Sequence, residues 1–305
     1  MIKTMNGLIE AVKGIERKRI AVAVAQDEDV LKAVDAAYHL GLVDVSLIGD
    51  KKKIFDIADH IKIDVSNYEI IKEAEDPKAI KIAVEMVSSG RADFLMKGMV
   101  QTADLLRVVL DKDIGLRTNR ILSHLGVLEV PAYNKLLFIT DGGINIAPDL
   151  KAKADIIQNA VDVARCLGIE KPKVAILAAL ELVNPAMQCT LDAAALCKMA
   201  DRGQIKNCII DGPLAMDNAI SREAAKHKGI ISEVAGDADI LITPDIEAAN
   251  IMYKTLVFLG GAKPCGIIAG SKAPVVTTSR SDDYQAKLNS IALAALASTK
   301  KKPQA

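Results

Sequence analysis

Arg19-Ile20-Ala21-Val22-Ala23-Val24-Ala25 is followed at once by a stretch of helical period over residues 27–40, and then by Val45-Ser46-Leu47-Ile48-Gly49. Apolar run, amphipathic stretch, apolar run is the signature of a β-α-β unit. The two runs are rich in Val and Ile and show no in–out alternation, so each reads as a strand buried on both faces. The pattern repeats outward along the chain. Strand readings fall at 68–72, 93–96, 136–140, 173–179, 208–211, 240–243, 265–269 and 275–278, with helical stretches at 77–89, 150–168, 191–203, 245–259 and 283–298. Asp76 is placed to cap the helix that Pro77 would open. Such alternation implies an α/β protein with a mostly parallel sheet, helices on its faces and right-handed crossovers.

One segment breaks the rhythm. Residues 121–130 and 135–140 flank the turn Pro131-Ala132-Tyr133-Asn134, which predicts an antiparallel pair inserted into the sheet, at an edge or a subunit contact. The 305 residues suit two domains better than one. No Ser/Gly/Pro-rich linker marks a boundary, so the domains are expected to be tightly joined with the chain crossing between them twice.

Composition excludes several classes. Lys+Arg and Asp+Glu both total 39, which removes the basic excess that nucleic-acid binding requires, and aromatics at 3% leave no base-stacking platform. No apolar run approaches the about 20 residues that span a bilayer. No apolar signal segment follows Met1-Ile2-Lys3-Thr4-Met5, so a cytoplasmic location is expected. The cysteines Cys166, Cys189, Cys197, Cys208 and Cys265 are odd in number and lack C-x-x-C spacing, and read as small core residues. The four histidines form no ligand pattern, and no metal is expected.

In open α/β sheets ligands bind beyond the carboxyl ends of strands. There the sequence places Lys97-Gly98, then Asp141-Gly142-Gly143-Ile144-Asn145, then Asp211-Gly212-Pro213, then Pro244-Asp245, and finally Ser279-Arg280-Ser281-Asp282-Asp283. Glycine lets backbone N–H groups approach an anion, and a helix N-terminus adds positive potential. A phosphate-bearing ligand is the implied occupant. Helix capping alone would account for Asp245 and for one of Ser279, Ser281 or Asp282. It does not account for Arg280, which would be repelled by the positive end of a helix unless an anion sits there. The chain holds no G-x-G-x-x-G and no G-x-S-x-G, and Gly266-Ile267-Ile268-Ala269-Gly270-Ser271-Lys272 misses the P-loop spacing.

Met96-Lys97-Gly98-Met99-Val100-Gln101-Thr102-Ala103-Asp104-Leu105-Leu106-Arg107 resembles a stretch of the phosphate acetyl/butyryl transferases. Asp211-Gly212-Pro213-Leu214-Ala215-Met216-Asp217-Asn218 and Pro244-Asp245-Ile246-Glu247-Ala248-Ala249-Asn250-Ile251-Met252-Tyr253-Lys254 do the same, with Ser279-Arg280 at the family's distance. Leu116-Arg117-Thr118, Leu122-Ser123-His124 and Asn145-Ile146-Ala147-Pro148-Asp149 are similar to the butyryl branch. The resemblance implies two mostly parallel α/β domains of the isocitrate/isopropylmalate dehydrogenase type with a cleft between them. Residues 1–143 with 271–305 would form one domain and 144–270 the other. It also implies a homodimer or higher homo-oligomer, and the reaction acyl-CoA + phosphate ⇌ acyl phosphate + CoA.

By the same resemblance Ser279 and Arg280 are catalytic. The family's aspartate, seven residues after the serine, falls on Ala286 here, which leaves Asp283 or Asp282 as the base, Asp283 being favoured. Arginine grips phosphate through two parallel hydrogen bonds, and fixed donors aimed at developing charge suit this reaction. Lys97, Gly98, Arg107, Asp141, Asn145, Asp245 and Asn250 complete the candidate substrate-binding set, with Lys97 the second choice for phosphate and Lys254 a further basic residue. CoA and acyl-CoA enter as substrates, and no cofactor is expected. A phosphate acetyltransferase is the near alternative. An NAD- and metal-dependent hydroxy-acid dehydrogenase of the same fold and a non-enzymatic CoA binder are the alternatives of other classes.

Overall fold

A computed structural model describes residues 1–277 and 283–299. The chain divides into two compact units, a terminal unit from Met5–Arg120 with the described residues from Cys265 onward, and a middle unit from Met1–Thr4 with Ile121–Pro264.

The terminal unit begins with α1 (Met5–Lys13), β1 (Lys18–Ala23), α2 (Glu28–His39), β2 (Val43–Gly49), α3 (Lys51–His60), β3 (Glu69–Lys72), α4 (Asp76–Ser88), β4 (Phe94–Lys97) and α5 (Thr102–Val109). The middle unit supplies β5 (Ser123–Glu129), β6 (Leu136–Thr140), α6 (Leu150–Cys166), β7 (Lys173–Leu177), α7 (Gln188–Asp201), β8 (Ile209–Leu214), α8 (Met216–Ile220), α9 (Arg222–His227), β9 (Ile240–Ile242) and α10 (Ile246–Phe258). The chain then returns through β10 (Lys263–Ala269), β11 (Val275–Val276) and α11 (Tyr284–Ser298).

In the terminal unit the strand order is β3-β2-β1-β4-β11-β10, parallel except for the β10–β11 pair. Its central strands are apolar on both sides because helices cover both faces: Ile20 to Ala23 and Phe94 to Met96 are all buried. Helix α11 is buried from Ala286 to Ala297, packs against α1 and α2, and is accordingly Ala/Leu-rich on every side. In the middle unit the order is β5-β6-β9-β7-β8, parallel except for the β5–β6 hairpin. That hairpin, read from the sequence as an antiparallel pair, joins the sheet because β6 takes β9 as its parallel neighbour.

Three expectations are corrected. Asp76 is the first residue of α4 and not its cap; Glu75 holds the cap position without a side-chain bond, and Pro77 sits second. Asp76 still favours the helix through its charge in the first turn. Asp211-Gly212-Pro213 lies inside β8 and not beyond its end, because a register irregularity between Ala175 and Leu177 lets the pair continue to Leu214. The unit boundaries fall at 120/121 and 264/265, against the expected 143/144 and 270/271. The reason is strand pairing: β6 carries residues 121–143 into the middle unit, while β10 pairs with β11 in the terminal unit. The first residues also join the middle unit, where the Ile2 N–H donates to Leu167 O at 2.9 Å.

Candidate active site

Beyond the carboxyl ends of β6 and β9, in the middle unit, the structure brings four of the expected residues together. Asp141 follows β6 directly and is only 4% exposed. Its Oδ1 accepts the N–H groups of Gly143 (2.9 Å) and Ile144 (3.0 Å). Its Oδ2 accepts the Asn145 N–H (3.2 Å) and the Asn145 Nδ2 (2.6 Å). Asn145 Nδ2 also donates to Leu122 O at 2.8 Å, and Asn250 Nδ2 donates to Gly142 O at 3.1 Å. Asp245 caps α10, accepting the Ala248 N–H at 2.8 Å. The Ile246 N–H reaches back to Ile146 O at 2.9 Å, so the two loops are stitched together.

This arrangement changes the reading of Gly142-Gly143. The loop's amides converge on the carboxylate of Asp141, a charge-assisted set of bonds, and so they shape the loop instead of pointing at an incoming anion. Thr243, which the sequence reading passed over, belongs here too: its Oγ1 lies 3.3 Å from Thr140 O and 3.0 Å from Asp245 O and latches the ends of β6 and β9. Its signal was a hydroxyl at the last strand position before Pro244-Asp245. A second missed pair is Lys153 with Asp192, 2.6 Å apart and both under 10% exposed, joining the N-terminal parts of α6 and α7. No local pattern announces a pair separated by 39 residues.

In the terminal unit Lys97 ends β4 and is buried, its Nζ donating to Gly98 O (3.3 Å) and Val100 O (3.1 Å). Gly98 is glycine for a backbone reason. A Cβ there would stand 2.0 Å from Val24 O and 2.8 Å from Ala23 O. Arg107 lies on the exposed face of α5 and pairs with Asp104 at 2.9 Å, and Lys254 is exposed on α10. Asp283 is the N-cap of α11, its Oδ1 accepting the Ala286 N–H at 2.8 Å. Ser279, Arg280, Ser281 and Asp282 lie outside the described residues. Among the described residues there is no group of three or more His, Cys, Asp or Glu able to hold a metal ion.

The order of these segments along the chain carries a family signal. A profile described as phosphate acetyl/butaryl transferase matches residues 3–82 and 72–295. The chain belongs to that family. It is 54% identical over 296 residues to the phosphate butyryltransferase of Clostridium acetobutylicum, covering 97% of this chain and 98% of that one. It is 48% identical to the phosphate acetyltransferase of Thermotoga maritima, over 96% of this chain and 99% of that one. Among solved structures, a branched-chain phosphotransacylase from Enterococcus faecalis V583 superposes with a TM-score of 0.83 at 32% identity, covering 92% of this chain and 99% of that one. Among the described residues no helix is long and apolar enough to cross a membrane.

Proposed function

We propose that this member of the phosphate acetyl/butaryl transferase family transfers an acyl group from acyl-CoA to inorganic phosphate, with butyryl-CoA preferred. The observation that carries the reading is the 54% identity over nearly the whole chain to a relative named phosphate butyryltransferase. In the reaction a phosphate oxygen bonds to the thioester carbonyl carbon and the carbon–sulfur bond breaks. The proton of hydrogen phosphate ends on the CoA sulfur. Arg280 holds phosphate through its planar fork, and Ser279 donates to the oxyanion or to the departing sulfur. Asp283 relays the proton. One of its oxygens caps α11, which fixes the carboxylate, and the other bonds nothing among the described residues. Lys97 adds a second cation toward phosphate. Asp141, Asn145, Asp245 and Asn250 hold the middle-unit loops in shape for the acyl-CoA. Both substrates are held at once and the transfer is direct, so the gain is in proximity and charge, without a cofactor or a covalent acyl-enzyme.

The same proposal takes the protein as a homodimer or higher homo-oligomer in the cytoplasm. Ile251 and Phe258 are exposed two turns apart on α10, with Leu259 just beyond, which suits burial against a second copy. All five cysteines are free thiols, which suits a reducing compartment. Following CoA thiol release from acetyl-, butyryl-, isobutyryl- and isovaleryl-CoA with and without phosphate tests the activity. Release that needs phosphate and is fastest with a four-carbon chain supports the reading; the absence of phosphate-dependent release from every thioester defeats it.

A further inference from the structure

Val24, at the carboxyl end of β1, has φ of +56° and is 1% exposed. A β-branched residue is a genuine outlier in this left-handed region, and valine lacks the short polar side chain by which Asn or Asp relieves the conformation locally. Its consequence is visible in the hydrogen bonds. In an extended strand successive carbonyls point to opposite sides. Here two successive carbonyls face the same neighbour: Ala23 O accepts the Gly98 N–H at 2.9 Å and Val24 O accepts the Met99 N–H at 2.8 Å. The left-handed turn at Val24 swings its carbonyl round to make the second bond. The fit is close enough that only glycine is tolerated at 98, where a Cβ would collide with Val24 O.

The segment held in this way is the one that fixes Lys97. The Val100 N–H closes onto Gly98 O at 2.9 Å, and the Lys97 ammonium donates to both Gly98 O and Val100 O. We infer that Val24 is a positioning residue: its strained backbone clamps the 97–100 turn and thereby sets where the Lys97 ammonium meets phosphate. Strain of this kind persists where the surrounding structure over-determines it, and it collects at sites that need a fixed geometry. The inference rests on the phosphate acyltransferase reading above and adds to it a residue that touches no substrate.

The test separates the conformation of residue 24 from its side chain. Val24→Gly keeps access to positive φ and discards the side chain; Val24→Pro keeps apolar bulk and forbids positive φ. For each variant, KM for phosphate, KM for butyryl-CoA, kcat and Tm are measured, together with the Kd for inorganic phosphate by calorimetry. The expected result is that Val24→Gly holds phosphate KM and Kd within about twofold of the parent while Val24→Pro raises both about tenfold or more, its KM for butyryl-CoA staying near the parent value. Equal phosphate constants in the two variants, or a larger loss in Val24→Gly, overturn the inference and leave only a packing role. Should Val24→Pro fail to fold, Gly98→Ala decides, because a Cβ at 98 collides with Val24 O and drives that carbonyl off the Met99 N–H. A rise of about tenfold in phosphate KM and Kd, with KM for butyryl-CoA near the parent value, supports the clamp; phosphate constants within about twofold of the parent refute it. A parent protein that binds phosphate but releases no CoA refutes the acyltransferase reading and leaves the clamp measurable through the calorimetric Kd.

Discussion

Replacing Asp141 by asparagine is expected to destabilise the protein by about 3 kcal/mol, and the figure follows from the bonds at that side chain. Four N–H donors meet the carboxylate, two on each oxygen. The amide that replaces it has one oxygen and one NH2 group, so whichever way it turns, two donors face another donor. Hydrogen bonds to a charged group contribute about 1.5–3 kcal/mol each, which puts the loss of two at about 3–6 kcal/mol. The low end applies because Asn145 is half-buried and its displaced donors can find water. Urea unfolding read by far-UV circular dichroism should show a lower midpoint with an unchanged slope. Moving the charge to the neighbour, by combining Asp141→Asn with Asn145→Asp, should recover little, because a carboxylate at 145 loses the bond to Leu122 O and faces that carbonyl instead. A loss below about 1 kcal/mol in Asp141→Asn would refute the claim that this carboxylate organises the 141–146 loop.

Three further outcomes are expected. Lys153→Met should cost about 3–5 kcal/mol by stranding Asp192, and Lys153→Met combined with Asp192→Leu should be markedly more stable than the single variant, measured by the same urea titrations. Asp237 is pushed up by burial, but hydrogen bonds from Lys173 and Lys135 and their charges outweigh that and hold it at about 2. A carboxylate depressed in the folded state contributes stability in full above its unfolded pKa of about 3.9 and loses it as pH falls toward 2. Asp237→Asn should therefore be less stable than the parent at neutral pH and show a shallower decline in urea midpoint between those values. Arg280→Ala should lower kcat/KM about 10²-fold or more with the Tm unchanged, and Arg280→Lys should recover only part, since an ammonium cannot make the paired bond to phosphate. Parent-like turnover in Arg280→Ala would remove the guanidinium from the chemistry.

The β-α rhythm was legible because buried parallel strands must be apolar on both faces, and residues 20–25, 47–48 and 136–139 have no other reason to be so uniformly apolar. The structure places Lys97 and Asp141 at strand ends and Asp245 three residues past β9, at the start of α10, as the runs before them announced. Less legible was what glycine and aspartate do there. Gly98 and Gly142-Gly143 look the same in the sequence, yet Gly98 yields space to the Val24 carbonyl and Gly143 offers its amide to Asp141. Asp211-Gly212-Pro213 reads as the end of a strand, and only the pairing with β7 carries β8 on to Leu214. Unit boundaries were misplaced for a related reason. They follow from β6 choosing β9 as its partner, a pairing about 100 residues apart that leaves no local compositional mark. Helix α3, capped by Asp50, escaped because it is short and strongly lysine-bearing at its start, so that tertiary docking of Ile54 and Ala58 outweighs its weak apolar signal.

The measurement that bears most directly on the central claim uses phosphate labelled with heavy oxygen at every position, unlabelled butyryl-CoA, and mass spectrometry of the product. Attack of a phosphate oxygen on the acyl carbon predicts butyryl phosphate carrying all the labelled oxygens, including the one that bridges carbon and phosphorus, formed one for one with free CoA thiol. Butyrate and CoA formed at a rate indifferent to phosphate, or an acyl phosphate whose bridging oxygen is unlabelled, would contradict it.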